Sequence, residues 1–230
     1  MSEIGPSDRW ALRISKLQFD KIKTEEGFWG VVALARAVNA LRFVHSPLEH
    51  YQNDSPGALR VRYNSFFFNC ALFYEADLLV QKLHQYHGGL PEFQALAAVM
   101  TSKPALALRD GSLNPLRNKF VFHFDIDATG TQLTNLSQAD PIFISGMGGT
   151  NQQTYYELPD ICAISTFLGS VSLDDAAIQG MVKMAADLTL QFLEKAELFL
   201  FARLEKSGWK VVPADEASLL TETPGPEKVP

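Results

Sequence analysis

Cysteine is scarce: the 230 residues contain two, Cys70 and Cys162, far apart and in no metal-ligand spacing. That excludes a disulfide framework and a Cys-rich zinc site, and it points to an intracellular protein. Long apolar runs are also missing. Stretches such as Val31–Ala35 and Phe66–Phe68 fall far short of the ~20 residues that cross a bilayer. The opening MSEIGPSDRWALRISKLQFD has no apolar run and no cleavage-site pattern. The expectation is therefore no signal peptide, no membrane span and a cytoplasmic address. The Gly-x-Ser-x-Gly and His-Glu-x-x-His signatures are absent.

Positive charge is thin in one half. Residues 1–124 hold 14 Lys+Arg and 11 Asp+Glu, a net of +3, whereas residues 125–230 hold 6 and 15, a net of −9. No Lys or Arg stands between Lys119 and Lys183. A protein that grips long duplex through phosphates carries a dense basic face. This chain has none, so nucleic acid enters only as a small ligand held in a cleft. The acidic half also serves solubility.

What is present is an ordinary globular composition, with 47% hydrophobic and 20% charged residues, in a chain long enough to bury its own core. Trp10 to Lys23 is weakly amphipathic. Phe28 to Val44 repeats apolar residues at helical spacing and is interrupted by His45-Ser46-Pro47. Ser55-Pro56 starts a long helix that ends before Gly88-Gly89 and is apolar on several sides. Pro91 opens a third helix to about Met100, and Ser102 to Gly111 supplies a short helical turn. Asn114 as cap and Pro115 at the first position start another. Between 127 and 158 the turns Thr129-Gly130-Thr131 and Gly146 to Thr150, with β-prone Pro141 to Ser145 and Thr154 to Glu157, read as a hairpin. Ser172 to Asp175 caps a last long helix to about Lys206. The expected fold class is all-α: an antiparallel up-and-down bundle of four to five main helices with a small β-hairpin insertion. One domain covers 9–210, and 213–230 form a disordered tail.

Gly146-Met147-Gly148-Gly149 lacks the Gly-Lys-[Ser/Thr] ending of a phosphate loop and reads as a turn. His84 and His87 have no third ligand nearby and read as cations complementing a helix C-terminus. No metal and no cofactor are expected. Cys70 falls in the apolar stripe and reads as a core residue.

The segment Leu116-Arg117-Asn118-Lys119-Phe120-Val121-Phe122-His123-Phe124-Asp125 differs from all of these. It sets an Arg, an amide, a Lys and a His just behind a proline-marked start. Unpaired N–H groups at a helix start favour an anion. A guanidinium there clamps phosphate bidentately, and imidazole moves protons near neutral pH. An Arg, a polar residue directly after it, and a His after five intervening residues resemble the signature of the HEPN superfamily, whose fold is a four- to five-helix bundle. The resemblance is specific over about ten residues.

It implies a metal-independent endoribonuclease of the toxin, defence or RNA-processing type. Arg117, Asn118 and His123 would be catalytic, and Lys119 an auxiliary phosphate contact. It also implies a homodimer, RNA as substrate, and an antitoxin or nucleotidyltransferase as partner. His123 would take or give the proton, Arg117 would stabilise the charged phosphorus centre, and Asn118 would orient one of them. On a straight α-helix Arg117 and His123 stand about 240° apart, so either two chains bring one copy's Arg near the other's His or the helix ends before His123. Two other readings of the same residues stand beside this one. In one, the chain is a non-catalytic HEPN-like helical module that binds a protein partner or nucleotide. In the other, Arg117 pairs with an acid such as Glu75 or Asp77 on the long helix, and His123 is a packing residue.

Overall fold

The computed structural model describes residues 10–50, 56–121, 125–135, 157–168 and 175–213. The described chain is mostly helical. It begins with strand β1 (Trp10–Arg13), short helix α1 (Lys16–Ile22), and the long helices α2 (Glu26–His50) and α3 (Pro56–His87). Helix α4 (Pro91–Met100) follows. Then comes one continuous helical rod: α5 (Lys103–Leu108), a π-helical turn π1 (Arg109–Leu113), α6 (Asn114–Leu116) and a second π turn, π2 (Arg117–Val121). Helices α7 (Ile126–Asn135), α8 (Glu157–Leu168) and α9 (Asp175–Lys206) and strand β2 (Lys210–Pro213) complete the order.

The core gathers around α3. Its residues Phe66, Cys70, Phe73, Ala76, Val80 and Leu83 are all buried, and α2, α4, α9 and the rod each pack against it. Helix α2 contributes Val31, Leu34 and Leu41, and α9 contributes Phe192, Ala196 and Phe199, each nearly inaccessible to solvent. Phe73 meets Phe192 edge to face with ring centres 6.0 Å apart, a geometry that satisfies the ring quadrupoles. Asn69 Nδ2 donates to Thr189 Oγ1 at 3.0 Å inside this core, tying α3 to α9. The thiols of Cys70 and Cys162 are both buried.

Helix α9 ends in a Schellman turn. The Gly208 N–H donates to the Glu205 carbonyl at 2.8 Å and the Trp209 N–H to the Leu204 carbonyl at 3.1 Å. Gly208 takes φ +85°, which costs glycine nothing. The turn delivers the chain into β2. That strand pairs antiparallel with β1, from Trp10 opposite Pro213 to Arg13 opposite Lys210.

Four expectations need correction. The 10–23 stretch is a strand followed by a helix, because β1 finds its partner about 200 residues later, a pairing no local pattern announces; β2 also carries the ordered chain to Pro213. Pro47 lies inside α2 rather than ending it. It removes one intrahelical bond a single turn from the C-terminus, where buried His45 still anchors the chain.

Thr129-Gly130-Thr131 is helical, within α7. The Asp125 side chain accepts from the Ala128 N–H at 2.9 Å and caps that helix, while Thr129 and Thr131 bond back to the carbonyls of Asp125 and Asp127. The rest of the expected hairpin, residues 136–156, lies outside the described residues, as do Ser55 and the 214–230 tail.

Asn114 does not cap a new helix: its φ of −64° and ψ of −48° are helical. The start is Ser102, whose Oγ accepts from the Ala105 N–H. Apart from these corrections, α2 from Glu26 to Leu48 is long and apolar enough to cross a membrane by length and composition alone, with mean hydropathy 1.3 over a stretch that is 28% buried. Periodic polar residues broke the apolar run in the sequence without lowering its average.

Gly30 sets the approach of α2 to α3. A Cβ there would fall onto the Leu83 side chain, 3.3 Å from its Cγ and nearer still to a methyl. Leu83 is itself buried and cannot swing aside. Gly30→Ala should therefore lower stability by about 1–2 kcal/mol despite alanine's helix preference. Gly180→Ala, with nothing near its Cβ position in α9, should raise it by about 0.5–1 kcal/mol. Urea midpoints at constant m-value read both.

Candidate functional site

The motif-bearing segment is built on the rod that follows α4. Ser102 and Pro104 start the rod; one π turn widens it before Arg117, and a second begins at Arg117 itself. π turns are rare and recur at functional sites. Here each one brings an arginine against α3. From π1, Arg109 Nη1 lies 3.3 Å from the Asp77 carboxylate, and Arg109 Nε donates to Asp110 at 2.8 Å. From π2, Arg117 Nη2 lies 2.6 Å from Glu75 Oε1.

Arg117 Nη1 also donates to Asn118 Oδ1 at 2.5 Å, and Asn118 Nδ2 donates on to Asn114 Oδ1 at 2.5 Å. The result is a chain of contacts from Glu75 through Arg117 and Asn118 to Asn114. The sequence-predicted pair Arg117 and Asn118 is thus brought together. Lys119 is exposed beside them on the same π turn. His123 lies outside the described residues.

The backbone at Arg117 differs from the expected helix start. Its N–H donates to the Asn114 carbonyl, and the Asn114 N–H to the Arg109 carbonyl. Those two amide donors are spent within the rod, so a helix N-terminus does not supply the anion attraction read from Asn114-Pro115. What remains is the guanidinium, with 31% of its side chain exposed and one face already against Glu75 at 2.6 Å.

Asp77, one of the two acids the sequence offered as a partner for Arg117, faces Arg109 instead. Its side chain is nearly buried, and it accepts from Gln81 Nε2 at 2.8 Å as well as facing Arg109. Burial pushes its carboxyl above the usual range, with Arg109 and Gln81 pulling the other way.

A second cluster sits at the far end of α3. His87 is buried beside Phe199 and Phe93, with ring centres 5.2 and 6.1 Å away. Its Nε2 lies 3.0 Å from the Gly27 carbonyl. Burial pulls its pKa below the ordinary imidazole value, only partly opposed by that carbonyl. Burial thus disfavours the charged ring expected as the complement of the helix dipole; His84, three residues earlier, is exposed. Around His87 a cleft of about 460 Å³ is lined by Glu26, Tyr86 and Arg203 among others. The polar groups there are mutually engaged: Tyr86 Oη donates to Glu26 at 2.5 Å, and Arg203 reaches Glu25 at 3.4 Å. Among the described residues no group of three His, Cys, Asp or Glu could hold a metal.

A group with a raised folded pKa stabilises the fold most below its unfolded value of 3.8 and loses that contribution as pH climbs through the folded value. Ionised Asp77 therefore weakens the fold at neutral pH relative to its neutral form. Asp77→Asn should equal or exceed the wild type at pH 7, by up to about 1 kcal/mol, and should flatten the decline in stability above pH 4. Urea melts of both proteins across pH 4–7 check this; a variant with an unchanged pH profile would be the contrary result.

Compared with family models, with curated proteins and with solved structures, the chain finds no match.

Proposed function

We propose that this chain is a non-catalytic helical module that binds a protein partner, with the Arg117-Asn118 segment serving as a clasp between the rod and α3. The single observation that carries this reading is the chain Glu75–Arg117–Asn118–Asn114. A guanidinium that must neutralise a developing phosphate charge works best when no carboxylate competes for it. Arg117 already has one at contact distance. The acidic balance of residues 125–230 adds a field that opposes polyanions. The resemblance to HEPN proteins and the four- to five-helix up-and-down arrangement are compatible with such a module, since that superfamily includes members that serve assembly rather than cleavage.

A second reading is favoured by the adjacency of Arg117 and Asn118 on one partly exposed π turn, beside Lys119. In it the RNA 2′-hydroxyl attacks the adjacent phosphate, His123 accepts its proton, and the 5′-oxygen leaves with a proton. A 2′,3′-cyclic phosphate remains. Arg117 would stabilise the charge after exchanging Glu75 for the phosphate.

One experiment separates the two. Purified wild type, His123→Ala and Arg117→Ala are incubated with single-stranded RNA in EDTA. The module reading expects no cleavage above that of the two variants. Cyclic-phosphate products from the wild type that fall by about 100-fold or more in His123→Ala would establish the ribonuclease instead.

A further inference from the structure

Helix α2 carries more apolar surface than the core uses. Between Glu26 and Leu48 its mean hydropathy reaches 1.3 over a stretch that is 28% buried. Val31, Leu34, Val38 and Leu41 are the buried side. At 100° per residue, Trp29, Val32, Arg36 and Phe43 fall within about 60° of one another on the opposite side. Trp29 is 55%, Val32 54% and Phe43 80% exposed, and Arg36 is exposed among them.

The charge around this stripe has one sign. From Gly27 to Leu48, α2 holds Arg36 and Arg42 and no acid. Arg42 bridges to Glu197. Helix α1 borders the stripe, because its Phe19 and the adjoining Lys23 wall an apolar cleft of about 510 Å³ together with Trp29 and Val32. Ile22 is the buried residue of α1. Lys16 and Lys21 stand about 120° and 100° from it around the helix, and both are exposed. Residues 10–48 hold six Lys+Arg and three Asp+Glu, a net of +3, in a chain whose net is −6. All three acids are engaged: Asp20 by Lys23, Glu25 by Arg203, and Glu26 by the Tyr86 hydroxyl. Lys16, Lys21 and Arg36 form no ion pair among the described residues.

An occupant must therefore take apolar side chains and supply negative charge. Single-stranded RNA would reward the two rings, but Trp29 and Phe43 are about 21 Å apart along the helix, too far to hold neighbouring bases, and Val32 offers no stacking face. A protein groove sets fixed acids against fixed cations, whereas Lys16 and Lys21 are flexible point charges suited to mobile phosphates. The interface of an anionic bilayer supplies both an acyl boundary and such phosphates. Trp29 is prepared for it. Its Nε1 donates to the Lys23 carbonyl at 2.6 Å, so the ring can leave water without orphaning its one donor. The net −9 of residues 125–230 is repelled by the same surface and turns the α1–α2 end toward it.

We propose that the outward face of α2, bordered by α1, docks peripherally on an anionic lipid bilayer. Trp29, Val32 and Phe43 enter the acyl boundary, and Lys16, Lys21 and Arg36 meet lipid phosphates. The helix lies on the bilayer rather than crossing it, since its other side is held by α3 and α9. The Arg117 clasp is on other elements, so this proposal and the partner-binding reading stand or fall separately.

Flotation of the full chain with vesicles tests it. The wild type should float with phosphatidylcholine vesicles that contain phosphatidylserine, and should stay behind with phosphatidylcholine alone or in high salt. Val32→Glu and Phe43→Glu should each lower partitioning by about tenfold or more while keeping wild-type circular dichroism. Lys21→Glu combined with Arg36→Glu should lower it by about tenfold or more as well. Ile126→Glu, at a side chain 84% exposed on α7, should float like the wild type. A wild type that does not float overturns the proposal. So does flotation that is indifferent to phosphatidylserine, or that Val32→Glu and Phe43→Glu leave unchanged, or that Ile126→Glu reduces equally. A wild type that fails to float yet retards single-stranded RNA, with the retardation lost in Phe43→Glu, assigns the face to RNA and overturns the bilayer.

Discussion

Leu83 rests on the bare backbone of Gly30, and the closeness of that contact governs how α2 lies on α3. The consequence propagates because α2, α4, α9 and the rod all touch α3. A helix apolar on so many sides cannot be covered by a single neighbour. Each neighbour is therefore placed by the need to cover one strip of α3, and small changes in its seating would displace several elements together. The Asn69–Thr189 bond works within the same constraint: buried polar groups on α3 and α9 tolerate few relative positions.

Where α3 is polar, it meets the rod. Asp77 faces Arg109 and Glu75 faces Arg117, so both arginines of the π turns are turned toward the same helix. This arrangement orders the rod on α3. It also limits what those arginines can offer an outside ligand, because electrostatic attraction already satisfied within the chain must be given up before a phosphate can replace it. The surface left most available is instead the apolar one on α2 and α9, which lies on other elements altogether.

Much of the helical layout was legible in the sequence. The apolar positions of α3 and α9 recur at helical spacing for about nine turns each, and Pro91 and Gly88-Gly89 punctuate them clearly. The signals that misled were local ones with tertiary answers. Asn114-Pro115 has the chemistry of a helix start, yet Pro115 lies a π turn into a rod already running, and Ser102 had taken the capping role. Thr129-Gly130-Thr131 has the composition of a turn, yet Asp125 caps a helix through it. Strand β1 carries no alternation to speak of, and its partner is β2 at the opposite end of the described chain. At the site, the pairing of Arg117 with Glu75 was among the readings the residues allowed, because an arginine beside a long helix bearing Glu75 and Asp77 has few better partners. The π turns that aim it there leave no trace in residue type.

Both thiols of this chain lie in the interior, on α3 and α8, and burial pushes both above their usual pKa. Neither is a thiolate near neutral pH, and neither meets solvent in the folded chain. An alkylating reagent can reach Cys70 only when the central helix loses its neighbours, and Cys162 only when α8 lifts away. The protein thus carries two native reporters, at different depths of the assembly, whose labelling rates would separate partial opening near α8 from global unfolding.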